Sequence, residues 1–108
     1  MLSKKRLVNK GLFEIIMKKG SVVSGHFFMF RYLIKPQLGV KMACVAPKSV
    51  AKNAVKRNKL RRRAYSVLRK YPIKGGQGIF FYKKEGVNAD FKEINEDIGF
   101  LLKKTHFI

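Results

Sequence analysis

Acidic residues are what this sequence most lacks. Six Asp and Glu stand against 25 Lys and Arg, which gives a formal net charge of +19 in 108 residues. Before Glu85 the only acid is Glu14. Self-repulsion at that level opposes a compact monomer and favours a polyanionic partner: RNA, DNA or an anionic membrane surface. Long apolar runs are also missing. No stretch approaches the roughly 18 apolar residues of a membrane span, so a transmembrane helix is not expected. Cysteine is nearly absent. Cys44 stands alone in an apolar run, which rules out an intramolecular disulfide and suits a small buried hydrophobe in a reducing, cytoplasmic setting. There is no zinc-ligand spacing, no glycine-rich phosphate loop and no nucleophile elbow. The charges at Lys4, Lys5 and Arg6 are not followed by an apolar segment, so no signal peptide is expected.

What is present suffices for one small domain spanning residues 1–108. Apolar residues make up 46% of the chain, enough for a modest core. Asn9 can cap a helix running to about Lys19, in which Leu12, Phe13, Ile16 and Met17 recur at helical spacing and Gly20 marks the stop. Val22 to Ile34 reads as a strand, or as two if it is broken. Phe28, Phe30 and Tyr32 share one of its faces; Phe27, Met29 and Arg31 share the other. Residues 35–39 read as a turn. Val40 to Ala46 is apolar on both faces apart from Lys41, which predicts a central strand ended by Pro47. Ser49 to Tyr71 is the longest helical segment, with Leu60, Ala64, Val67, Leu68 and Tyr71 as its apolar stripe. Ile79 to Tyr82 is a short buried strand. Asn88 or Asp90 caps a last helix carrying Phe91, Ile94, Ile98, Leu101 and Leu102 at helical period. The expected fold is an α/β (α+β) two-layer sandwich, with three helices on a mostly antiparallel sheet of about four strands.

Function concentrates between Lys48 and Lys70. Ten bases occur there without one acid: Lys48, Lys52, Lys56, Arg57, Lys59, Arg61, Arg62, Arg63, Arg69 and Lys70. A run of charge is most often a solvated helix face. Here no acid four residues away relieves the repulsion. At about 100° per residue, Arg57 and Arg61 fall on the stripe that carries Ala64 and Leu68. Those arginines must therefore emerge at the edge of the sheet beside a groove. The guanidinium fork suits phosphate and base faces, and Asn53 and Asn58 add donor–acceptor amides.

The run from Lys52 to Arg63 resembles the signature helix of the bacterial ribonuclease P protein family. That family carries an Arg-Asn-Arg core, then an apolar residue and two more bases. Here the core reads Arg57-Asn58-Lys59, followed by Leu60, Arg61 and Arg62. Lys59 keeps the charge of the third position but lacks its fork. The preceding strand, Lys48, the Phe13-containing helix and the final helix are also similar, so the resemblance covers nearly the whole chain.

The resemblance implies a left-handed βαβ crossover and a protein that is not itself the catalyst. Its partner would be a large catalytic RNA that binds the Mg²⁺ activating water, and this chain would hold no metal stably. The signature helix, with Lys48, Lys52, Asn53, Lys56, Arg57, Asn58, Lys59, Arg61, Arg62 and Arg63, would face that RNA. The 5′ leader of precursor tRNA would lie in a cleft between the first helix and the sheet, lined by Phe13, Met17, Phe27, Met29 and Arg31. Phe13 and Met17 can equally be core residues.

Other readings carry less. His26 and His106 would have to converge on one phosphate to act as an acid–base pair, yet His106 is expected in a frayed end. Glu93, Glu96 and Asp97 are expected on the solvent face of the last helix rather than around a metal. A small basic ribosomal or RNA-chaperone protein is the main alternative. A DNA-binding protein ranks below it, because no helix-turn-helix pattern appears.

Overall fold

The computed structural model describes residues 6–108. The amino-terminal residues 1–5, including two of the charges weighed against a signal peptide, lie outside them. Helix α1 spans Lys10–Lys19, strand β1 Ser21–Ser24, β2 Phe28–Leu33, β3 Lys41–Val45, helix α2 Ala54–Leu68, strand β4 Gln77–Tyr82 and helix α3 Phe91–Lys104. The four strands form one mixed sheet in the order β1-β2-β4-β3. β1 pairs antiparallel with β2, and β2 with β4. β3 runs parallel to β4, so α2 is the crossover of a βαβ unit.

The sandwich core is the sheet face built by Phe28, Phe30, Met42, Cys44, Phe80 and Tyr82, packed against α2 and α3. Alternation along each strand sends the neighbouring residues to the opposite face. There Leu12 and Ile16 of α1 bury Ile79 in a second, smaller cluster. Helix ends follow the local chemistry. The Asn9 side chain accepts from the Leu12 N–H at 2.8 Å. Asp90 and Glu93 form a reciprocal capping box.

The segment 22–34 is broken at Gly25–Phe27, the two-strand alternative, giving β1 and β2. Three expectations are corrected. β3 is an edge strand rather than a central one. It is apolar on both faces because both are covered: Met42 and Cys44 lie in the main core, and Ala43 and Val45 pack beside the α1 cluster. Its outer side meets Leu7, which bridges to Met42. The central strands are β2 and β4. Nor is the carboxyl-terminal end frayed: His106 is exposed with φ 65°, but Phe107 beside it is buried against Phe30 and Tyr32.

The third correction concerns Asp97, which is buried rather than solvated. Its carboxylate accepts the backbone N–H groups of His26 at 2.8 Å, Phe27 at 2.9 Å and Phe28 at 3.0 Å. Those donors belong to the β1–β2 turn, and Asp97 supplies what a ladder partner would otherwise give. Gly25 is required there, since a Cβ would come within 2.7 Å of the carboxylate. Replacing Asp97 by Ala leaves the buried Phe28 N–H and two partly buried donors without this partner. Asp97→Ala should lower unfolding free energy by about 2–3 kcal/mol, read as a lower urea midpoint at unchanged slope, and Glu93→Ala should cost under about 1 kcal/mol.

Candidate nucleic-acid interface

Helix α2 is shorter than its periodicity suggested. Ala54–Leu68 is helical, while Lys48, Lys52 and Asn53 stand in the loop before it. Asn53 is the cap, and its side-chain oxygen accepts from Val55 N–H at 2.7 Å and Lys56 N–H at 3.3 Å. Four of the five residues of the expected stripe are in the core: Leu60, Ala64, Val67 and Leu68 are buried, while Tyr71 lies beyond the helix and is half-buried. Tyr65 joins them, which the sequence reading missed.

Two phenols fix the helix on the sheet. Tyr82 Oη donates to the Leu60 carbonyl at 2.7 Å, and Tyr65 Oη accepts the Cys44 N–H at 3.1 Å. Burial pushes the pKa of both hydroxyls up, so both stay protonated. Burial likewise pushes the Cys44 thiol up, which makes it an inert core residue and no nucleophile.

The early arginines emerge where the wheel placed them. Arg57 and Arg61 line a groove of about 420 Å³ with Phe13, Ala43, Val45 and Tyr65, between α1, β3 and α2. Asn58, Arg61, Arg62 and Tyr65 line a contiguous hollow on the same flank. Arg57 has an internal task as well. Its Nη1 donates to the carbonyls of Ala51 at 3.0 Å and Lys52 at 2.7 Å, fastening the loop that carries the lysines. Arg63 turns the other way, toward the Ala89 carbonyl at 3.3 Å.

A second opening adjoins this groove. α1 covers Ile79 but leaves the next cross-strand row, Met29, Phe81 and Val45, half-buried. Met17, Met29, Arg31, Phe81 and Lys83 line a hollow of about 260 Å³. Phe13 sits edge-on to Phe81, with centroids 6.3 Å apart, and so joins groove and hollow. Phe13 is half-buried and Met17 exposed, whereas Leu12 and Ile16 are the core residues of α1. Arg31 Nη1 reaches the Met17 carbonyl at 3.4 Å. Phe27 is not part of this surface. The turn that Asp97 holds takes Phe27 out of the β2 alternation, and it lies with His26, Glu93 and Phe100 beside α3. Phe81 and Lys83 were missed. Phe81 lies in a strand read as buried, and only its register with Met29 exposes its role.

Such a surface suits nucleic acid: guanidinium forks and lysines beside half-open aromatics, with no acid lining either hollow. The model of the family described as ribonuclease P matches residues 1–106. The chain belongs to the ribonuclease P protein family. A ribonuclease P protein component from Thermus brockianus is 29% identical over 92 residues, which are 85% of this chain and 55% of that protein. The chain thus spans about half the length of that curated relative. The structure of the Staphylococcus aureus RNase P protein superposes with a TM-score of 0.81 at 20% identity, covering 94% of this chain and 96% of that one. The RNase P protein from Thermotoga maritima gives 0.76 at 22% identity, covering 85% and 89%. These likenesses show the same α+β fold.

Arg57 now has a measurable structural role. In Arg57→Ala the loop loses its guanidinium tie, and amide exchange at Val50–Asn53 should quicken by about tenfold, equivalent to about 1.4 kcal/mol of local opening. Exchange in β2 and β4 should be unchanged.

Proposed function

We propose that this protein is the protein subunit of the ribonuclease P ribonucleoprotein, which removes the 5′ leader from precursor tRNA. The observation that carries the reading is the arginine flank of α2 opening directly beside a half-covered aromatic cleft. Two kinds of RNA contact adjoin there. Arg57, Asn58, Arg61 and Arg62 offer charge and forks to the structured backbone of a catalytic RNA. Phe13, Met17, Met29, Arg31 and Phe81 offer stacking and a guanidinium to unpaired nucleotides, whose bases are free to stack.

In this reading the chain performs no bond-breaking step. The RNA partner supplies the active site and holds the Mg²⁺ that activates water. The protein grips the leader and so raises affinity for the precursor over the mature product. Arg31 ties the sheet to the end of α1 along one side of the cleft. The phenols of Tyr65 and Tyr82 keep α2 at a fixed height above the cleft. The setting would be the cytoplasm, where precursor tRNA is made. A small basic ribosomal or RNA-chaperone protein would share the charge, but nothing in that role calls for a narrow aromatic cleft beside the basic helix.

Two experiments test the proposal. Binding of the catalytic RNA should depend steeply on salt: with about six phosphates neutralised, log K should fall against log salt with a slope of about −4 to −5. A slope near zero would remove the electrostatic basis. The second experiment titrates precursor tRNAs with leaders of increasing length against the holoenzyme. Affinity should rise with the first few nucleotides and then level off. Phe13→Ala should reduce that rise by about 1–3 kcal/mol while leaving catalytic-RNA binding nearly intact, with circular dichroism confirming the fold. Affinity independent of leader length would assign the cleft another ligand and favour the generic RNA-binder.

A further inference from the structure

The bases of α2 do not form one surface. At about 100° per residue, Lys59 lies two residues, or about 200°, from both Arg57 and Arg61. Lys56 falls on the lysine side. The structure keeps these flanks apart. Behind α2, away from α1, a hollow of about 490 Å³ is lined by Val50, Lys52, Val55, Lys56, Lys59 and Val87. None of these residues lines the arginine groove or its neighbouring hollow. Val55 stands between the flanks, 66% exposed, an apolar break in the charge. A helix with side chains is about 10–12 Å across, so one backbone segment lying along Arg57 and Arg61 does not reach the lysine hollow; Arg62, three residues from Lys59, marks the boundary between the flanks.

The chemistry of the two flanks also differs. The lysine hollow contains no acid, no guanidinium and no aromatic. Lysines are compact charges that meet phosphates without reading their geometry. The valines offer contact to sugar edges but nothing on which an unpaired base could stack. Such a lining suits the backbone of paired RNA, held by charge and shape. It does not suit a single-stranded leader, and it faces away from the cleft beneath α1. Arg57 links the two sides: its guanidinium lines the arginine groove while holding the carbonyls of Ala51 and Lys52, whose loop forms one wall of the lysine hollow.

We propose that the lysine hollow is a second RNA-backbone site, which seats a paired segment of the catalytic RNA distinct from the segment on the arginine flank, so that α2 is wedged between the two. The inference rests on the proposed function, since it takes a catalytic RNA as the partner. It goes further in assigning two separate segments to one helix, with Arg57 setting the position of one wall from the other side.

Hydroxyl-radical footprinting of the catalytic RNA, with wild-type protein and two variants, tests this. The lysine variant is Lys52→Gln/Lys56→Gln/Lys59→Gln, and the arginine variant is Arg61→Gln/Arg62→Gln. All five side chains are exposed, so both variants should fold, with circular dichroism as the check. Wild-type protein should protect two tracts that are separate in the RNA sequence. The lysine variant should uncover one tract and keep the other, and the arginine variant should do the reverse. The salt slope should become shallower by about 2–3 in the lysine variant and by about 2 in the arginine variant. If both variants uncover the same nucleotides, or if the lysine variant keeps the full footprint, the second site does not exist. If the lysine variant uncovers only nucleotides of added precursor tRNA, the hollow belongs to the substrate and the assignment is wrong. Absence of any wild-type footprint on the catalytic RNA would overturn the proposed function itself, and this inference with it.

Discussion

Neighbouring parallel strands cannot be joined by a tight turn; they need a crossover of a dozen residues or more. β3 and β4 are such a pair, and the crossover is α2. The densest cluster of bases, six of the 25 Lys and Arg, is therefore carried on the one element that must lie across the sheet near its edge. The second half of α2 can bury its stripe between sheet and α3. The first half runs beside β3, where Ala54, Arg57 and Arg61 line a groove with Ala43 and Val45. The arginines surface on that flank, and the groove beside them lies between α1, β3 and the helix. Tyr82 and Tyr65 set the height of α2 through hydrogen bonds to a helix carbonyl and to a strand N–H.

The same arrangement is electrostatically costly. A helix N-terminus carries partial positive charge, and here it is crowded by Lys52, Lys56 and Arg57, with no acid in the first turn. Helix propensity alone would not hold such a segment. The buried half, the Asn53 cap and the Arg57 tie to the loop hold it instead. An arriving phosphate relieves the repulsion. The free protein thus keeps together cations that only a polyanion makes comfortable. The acids lie elsewhere, with Glu93, Glu96 and Asp97 on α3, and one of those three is consumed in holding the β1–β2 turn.

Much of this was legible in the sequence, and the failures share a cause. Asn9, Asp90, Pro47 and the stripe of α2 are local signals, and each marked its element within a few residues. The arginines beside the groove were legible because helical period alone separates Arg57 and Arg61 from the buried end of their own stripe. What local pattern cannot show is which elements become neighbours. Strand β3 is apolar on both faces whether it lies at the centre or at a covered edge, and only the pairing with β4 decides. Asp97 looks like any helix carboxylate until the β1–β2 turn, some seventy residues earlier, places three N–H groups against it. That turn also removes Phe27 from the face of Met29 and Arg31. Phe81 and Lys83 went unnoticed for the converse reason: their partners Met29 and Ser24 come from other strands.

The cleft follows from a mismatch of lengths. α1 has ten residues, about 15 Å of helix, while β2 and β4 have six each, about 20 Å of strand. α1 is anchored at one end of the sheet by Leu12 and Ile16 over Ile79. It cannot also cover the row of Met29, Phe81 and Val45. Lengthening α1 would close that row and add apolar burial, worth about 25 cal/mol per Å². The fold forgoes that stabilisation and leaves three apolar side chains half-open between a basic helix and two cations, Arg31 and Lys83. In a chain of this charge an uncovered apolar row is ringed by cations that repel a second copy. In the proposed function its ligand is both anionic and flat-faced, and unpaired RNA has both properties in every nucleotide.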